Sequence, residues 1–391
     1  MQNLLQKTRT FLTPTASSTN IHDSANFRTE KQAERLFQKT DPLLDGEDCL
    51  YDCASCTESL PRKWEIDEDD KLYGEVKGWE THLVVGTGKT DWVRDVTDEK
   101  GSLMSAVGKI GQELSNGKLM LSASDMPPVT ACGDVHDSQG SANDTKHSDY
   151  PYGGRTRCIV LPRWEVVDGV GMEQAKWLLE DVISKGSTNS TPLARKASAL
   201  QTPEKLEDGE MVVGTDQNEI PEVEGLSMQD NKAHSPSTNG QPHSTATQTL
   251  QGISTPIPAG VTTRPLAHKA IILMCSHGTR DWRCGKSAPI LRRELIRHLR
   301  PLGLYRDFDD DRPDGVGIYY INHVGGHKYS ANVMVYRRGE NGEANQGIWL
   351  ARVRPEDCEN IVRYTVLQGK VVKPERQLRG GFDRERGVLS W

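Results

Sequence analysis

The sequence predicts an α/β protein of two domains, and three observations carry that prediction. Apolar runs of strand length alternate with amphipathic stretches of helical period. The alternation occurs twice, and between the two occurrences, from about 186 to 264, there is no Phe, Trp, Tyr or Cys. The 391 residues suit two domains, since one usually holds roughly 100–200 residues.

Composition narrows the class. Apolar residues make up 35% of the chain and the mean hydropathy is −0.62, low values that fit folded units diluted by unfolded ones. A net charge of −7 and a pI near 5.9 give no electrostatic footprint for nucleic acid or an anionic membrane. No apolar run approaches the roughly 20 residues that span a bilayer, and the amino terminus lacks a secretory h-region. Lys7 and Arg9, with no acid before Asp23, imitate a mitochondrial presequence only weakly. The expected compartment is cytoplasmic, with nuclear or mitochondrial placement as alternatives. Eight cysteines in such a chain point to metal or redox chemistry before disulfides.

The elements follow in order. Residues 1–44 read as a loose tail with one helix near 30–38. In the first domain, 45–184, strands are expected at 81–85, 118–124 and 157–164, and helices at 102–114 and 172–184. Residues 185–264, rich in Ser, Thr and Pro, read as a disordered linker that cannot bury enough apolar surface to offset its ordering entropy. In the second domain, 265–370, a buried strand at 269–275 precedes a helix at 288–303 with Pro289 near its first turn. A strand at 315–323, a hairpin of 331–338 with 347–353, and a helix from Pro355 to Gly369 complete it. Strand, helix, strand, hairpin, helix is the order of a thioredoxin-like domain. Residues 371–391 read as a C-terminal tail.

Two short stretches of the second domain stand out chemically. CSHGTRDWRCG (275–285) follows a buried strand, and HVGGHK (323–328) follows another, with Gly325 and Gly326 letting the backbone turn tightly. Cys275, Cys284, His323 and His327 make a four-coordinate set that suits zinc or an iron–sulfur cluster. A finger-type zinc site has closer spacings than the eight and thirty-eight residues that separate these ligands. A two-iron cluster accommodates longer loops, and two-His, two-Cys ligation has a precedent in Rieske centres, although those carry one Cys and one His on each loop.

CSHGTRDWRCG, GLYRD (303–307), HVGGHKYSANVMVY and GIWLARVRPED together resemble the sucrase/ferredoxin-like family. The resemblance is strong over about 265–354 and looser over 64–184. It implies a thioredoxin-like ferredoxin C-terminal domain beside a degenerate thioredoxin-like N-terminal domain. It also implies a [2Fe-2S] cluster on Cys275, Cys284, His323 and His327, used in electron transfer or redox sensing. Imidazoles in place of two thiolates leave such a cluster less negative and raise its potential. Arg280, Arg283 and Lys328 lie beside the ligands in sequence, where they would steady the reduced cluster, dock an acidic redox partner, or remain ordinary solvated charge.

The other signals are weaker. The terminal Leu389-Ser390-Trp391 is similar to the tripeptide by which clients engage the cytosolic iron–sulfur assembly targeting complex, a free carboxylate beside a large aromatic being a plausible pocket ligand. Cys53-Ala54-Ser55-Cys56, with Cys49 before it, has the form of a redox dithiol. Its acidic surroundings disfavour a thiolate, so exposed, oxidisable thiols are expected in preference to a second metal site completed by His82. GTGKT (86–90) lacks the first glycine of a phosphate loop, position 83 being Leu, and reads as a turn. No residue is placed by sequence as a nucleophile or general base. A zinc-stabilised interaction module and a thiol–disulfide oxidoreductase using Cys53 and Cys56 are the alternative functions.

Overall fold

The structure, a computed structural model, describes residues 27–129, 154–193 and 256–391. The predicted linker falls largely outside the described residues, as does most of the amino-terminal tail.

The run Thr81–Gly86 forms β1, buried along its whole length. Helix α1, Leu103–Ile110, starts at Ser102, whose Oγ accepts from Ser105 N at 3.0 Å. It stops at Gly111 (φ 111°), earlier than its apolar period suggests. Gly117–Ser124 (β2) returns parallel to β1, and Thr156–Leu161 (β3) pairs with β1 antiparallel. Sequence alone read one strand across 157–164. The structure breaks it at Pro162, which has no N–H for a ladder, and Glu165–Val170 (β4) turns back along β3. Ala175–Trp177 (α2) runs into a π-helical turn, Leu178–Ile183, and closes this half.

The second half repeats the pattern. After a short edge strand, Thr262–Pro265 (β5), come Ala270–Cys275 (β6) and the long helix α3, Trp282–Leu299. Val316–Ile321 (β7) is parallel to β6, Val333–Arg338 (β8) is antiparallel to it, and Ala344–Leu350 (β9) completes the hairpin. Cys358–Asn360 (α4) continues through Ile361–Val366. Leu378–Asp383 (β10) and Val388–Leu389 (β11) then extend the sheet beyond β9. The stretch read as a tail is therefore a buried strand; its Arg-Gly-Gly centre hid it from an apolar-run reading.

Each half has strand order fourth, third, first, second, with the third antiparallel to the first, which is the thioredoxin-like arrangement. The halves are not separate layers. Their second strands meet at their C-terminal ends, Ile321 opposite Ser124, so the strands belong to one mixed 14-stranded sheet. Alternation within the strands buries both faces: Leu83, Val85, Ile272 and Met274 on one, Val84, Ile271 and Leu273 with Trp79, Trp164 and Trp349 on the other. Each such aliphatic burial is worth about 1.5–3 kcal/mol.

Two histidines sit inside this core. His82 joins Tyr336 Oη (2.9 Å) and Ser122 Oγ (2.8 Å), and burial holds its pKa down to about 3. His268 has no hydrogen-bond partner for either ring nitrogen among the described residues, and burial holds it down to about 4. Unfolded, each binds a proton near pH 6.5. Their contribution is intact above that value and is lost as pH falls toward the folded pKa. Acidification from pH 6.5 to 4.5 should cost about 2–3 kcal/mol per histidine. Denaturant melts across this range check it, and His82→Gln should flatten the slope; an unchanged slope would show that His82 is not buried neutral.

Candidate metal centre

Cys275 ends β6 and His323 lies two residues beyond β7, so two parallel neighbouring strands present them side by side. Cys284 arrives differently. The sequence placed it on a polar loop, but α3 begins at Trp282, capped by Asp281 Oδ1, which accepts from Arg283 N at 2.9 Å. Cys284 is therefore in the first helical turn, and Pro289 lies inside the helix.

The Sγ atoms of Cys275 and Cys284 and a ring nitrogen of His323 lie within 4.8 Å of one another. Cys275 Sγ is 3.6 Å from His323 Nδ1, and Cys284 Sγ is 3.2 Å from Ser330 Oγ. Both cysteines are buried and free of disulfides. Cys284 is held down to about 5, chiefly by the hydrogen bond it accepts from Cys275, while Cys275 is pushed well up. Of the two, Cys284 is the thiol that gives up its proton more readily. Bonds of about 2.3 Å to one metal put tetrahedral sulfur ligands roughly 4 Å apart, so this donor set fits a thiophilic metal with little movement. His327 opens a 3₁₀ turn, His327–Tyr329, after Gly325 (φ 97°) and Gly326 (φ 70°); its backbone keeps it in the same loop as His323.

Residues 72–380 match the sucrase/ferredoxin-like family. The chain belongs to this family. It is also similar to Actin patches distal protein 1 of Saccharomyces cerevisiae, 43% identical over 106 residues, covering 27% of this chain and 32% of that protein. Altered inheritance of mitochondria protein 32 of Clavispora lusitaniae is 36% identical over 106 residues (27% of this chain, 33% of the relative). Its namesake in Candida glabrata is 27% identical over 174 residues (41% and 51%). The matches thus span about a third to a half of these relatives' own length. No solved structure matches the chain.

What the family resemblance did not supply is the support around the site. His277, between the two cysteines, donates from Nε2 to Trp92 O (2.9 Å), leaving Nδ1 to accept from His323 N (3.2 Å). Its ring is the strut under the His323 backbone. Asp91 accepts from Thr279 N and Oγ1, and Ser276 Oγ donates to Thr90 O at 2.6 Å. GTGKT accordingly opens the turn that braces the ligand loop, and Lys89 pairs with Glu99. Arg379, in the stretch read as tail, donates to Gly325 O (2.8 Å) and Asn332 Oδ1 (3.1 Å). No motif flagged it; a lone Arg between apolar and Gly residues was the available signal.

The predicted charges separate. Arg283 is held by Asp281 and Glu65 O, and Lys328 by Asp70. Arg280 is exposed. With Arg94, Asn322 and His323 it lines a cavity of about 340 Å³, and neither arginine has an ion-pair partner among the described residues.

The remaining predicted residues lie elsewhere. Leu389 is in β11, Ser390 Oγ accepts from Gly381 N (3.0 Å), and Trp391 packs on Trp79 with ring centres 4.4 Å apart. The terminal tripeptide is folded into the sheet edge. Cys49 and Cys53 are buried and Cys56 half-buried, which corrects the expectation of exposed thiols. Burial, more than the acids, pushes Cys56 up. Cys53 does not approach His82, which is committed to Ser122 and Tyr336.

Proposed function

We propose that the protein is an iron–sulfur redox protein. Cys275, Cys284, His323 and His327 would hold a [2Fe-2S] cluster that exchanges one electron in electron transfer or redox sensing. The observation that carries this reading is the convergence of Cys275, Cys284 and His323 from three elements within 4.8 Å. When bound, the cluster supplies the redox step. The chain's own residues fix the ligand loops, through His277, Asp91 and Arg379, and exclude water from the two sulfurs. The cavity beside His323, flanked by Arg94 and Arg280, suits an acidic redox partner that meets the cluster on its histidine side. Engagement of Leu389-Ser390-Trp391 by a targeting complex would require β11 to leave β10 first.

The test is the visible and electron paramagnetic resonance spectrum of anaerobically purified protein, with iron, sulfide and zinc assayed, beside His323→Cys. Near-equal iron and sulfide, with a reduced signal that shifts in the variant, is the expected result. A colourless protein with stoichiometric zinc would replace this reading by a zinc-stabilised interaction module. The dithiol alternative loses ground to the burial of Cys53 and the raised pKa of Cys56.

A further inference from the structure

At the far end of α3 from Cys284, a second group of metal-capable side chains converges. Cys53 Sγ, a ring nitrogen of His298 and a carboxylate oxygen of Glu359 all lie within 4.8 Å of one another. Cys284 is in the first turn of α3 and His298 in the last. They are fourteen positions apart, a rise of about 21 Å along the helix, so one ion cannot serve both groups.

The three residues come from a loop, α3 and α4, and the loop is fixed before any ion arrives. Cys53 N donates to Glu356 O at 3.0 Å, and Asn360 Nδ2 to Tyr51 O at 2.9 Å. Glu294, whose side chain is 0% exposed, accepts from Thr57 N (3.0 Å), Thr57 Oγ1 (2.7 Å) and Glu58 N (3.1 Å). An irregular segment this heavily tied holds its thiol in place as a ligand site requires.

The tautomer of His298 is also set. Arg297 donates to Nε2 at 3.0 Å, and a guanidinium only donates. Nε2 therefore carries the lone pair, and Cys53 Sγ is 3.8 Å from it. We propose that Cys53, His298 and Glu359 bind a borderline divalent cation of the zinc class, with solvent in the fourth position. On binding, the Cys53 thiol gives its proton to solvent, and Nε2 turns its lone pair from the guanidinium to the metal. Arg297 gives up the bonds it donates to His298 Nε2 and to Cys53 Sγ (3.5 Å) and keeps its two bonds to Glu294, at 2.9 and 2.7 Å. One thiolate and one carboxylate then balance the two positive charges, and the ion fastens the Cys53 loop to the ends of two helices.

Metal-free full-length protein titrated anaerobically with Co²⁺ alone tests this. Wild type should bind two ions, one at each group, with thiolate-to-cobalt charge transfer. Cys53→Ala should bind one, and Glu359→Gln should weaken one of the two at least tenfold. Cys275→Ala should keep the ion at Cys53 and release about one proton as it binds. Because Glu359 is partly exposed, Glu359→Gln should leave the metal-free melting temperature within about 1 °C, which separates lost ligation from lost folding. Loss of all cobalt binding in Cys275→Ala, or binding undiminished in Cys53→Ala and Glu359→Gln, would overturn the proposal and leave a plain Cys53–His298 contact, whereas a single wild-type ion lost in Cys53→Ala but kept in Cys275→Ala would support it and count against the other centre.

Discussion

Arg379→Met is expected to cost about 3–5 kcal/mol and to weaken metal retention at the candidate centre. The side chain reaches from β10 under the histidine loop. It donates to Gly325 O and Asn332 Oδ1 on one side and to Glu75 O on the other, at 2.8–3.1 Å. It also lies over the Trp349 ring, 4.3 Å from its centre. Burial depresses its pKa to about 10, still far above neutrality, so it is a buried cation answered by carbonyls and ring faces. Methionine keeps the stem but leaves those acceptors unsatisfied, each worth about 1–3 kcal/mol. Gly326, whose added Cβ would fall 2.4 Å from the guanidinium, shows how closely the loop is moulded on it. Iron per chain should fall at least twofold and the melting temperature by several degrees. Arg376→Met, which loses only an exposed pair with Glu68, should change stability by less than about 0.5 kcal/mol. An Arg379→Met protein with full metal content would show that Asn332 and the glycines hold the loop unaided.

Arg379 also marks where the sequence stops being legible. Strands such as Ala270–Cys275 and Val316–Ile321 are continuous apolar runs buried on both faces, which periodicity finds readily. The four proposed ligands stood out because thiols and imidazoles at strand ends are chemically conspicuous. The start of α3 was missed because Pro289 was read as its first turn, although Asp281 offered the cap. Leu378–Asp383 was missed because its inward residues are Arg379, Gly381 and Asp383 as well as Phe382, and their burial is answered by hydrogen bonds. Such partners come from distant segments, Asn332 and Gln346 among them, which no local pattern contains. The joining of the halves was illegible for the same reason: one residue pair, Ile321 with Ser124, carries the ladder across.

That seam carries the second large effect, expected of Asp125→Ala. Asp125 sits just past β2, with Oδ1 accepting from Tyr320 N at 2.8 Å and Oδ2 from Arg292 at 2.9 Å. Its own N–H donates to Tyr320 O at 3.3 Å, and Asn322 brackets Ala123 with bonds at 2.9 and 3.0 Å. Arg292 spreads over Tyr320 and Phe308, so removing the carboxylate strands a largely buried cation and an amide. One-sided loss of such a pair costs about 3–5 kcal/mol. Burial pushes the Asp125 carboxyl up to about 6 despite Arg292. A raised carboxyl favours its protonated form in the fold, so its contribution declines as pH rises from about 4 to 6, opposite to the histidines. Asp125→Asn resembles that protonated form, keeps the acceptor for Tyr320 N and should cost less than Asp125→Ala. The seam seats Thr90, Asp91 and Trp92 against residues 276–279, so Asp125→Ala should also weaken metal retention while every proposed ligand remains. Denaturant melts of Asp125→Ala, Asp125→Asn and Asp125→Ala/Arg292→Met decide it. Partial recovery in the double variant would locate the cost in the stranded charge; equal melts for all three and wild type would show that the halves need no ionic seam.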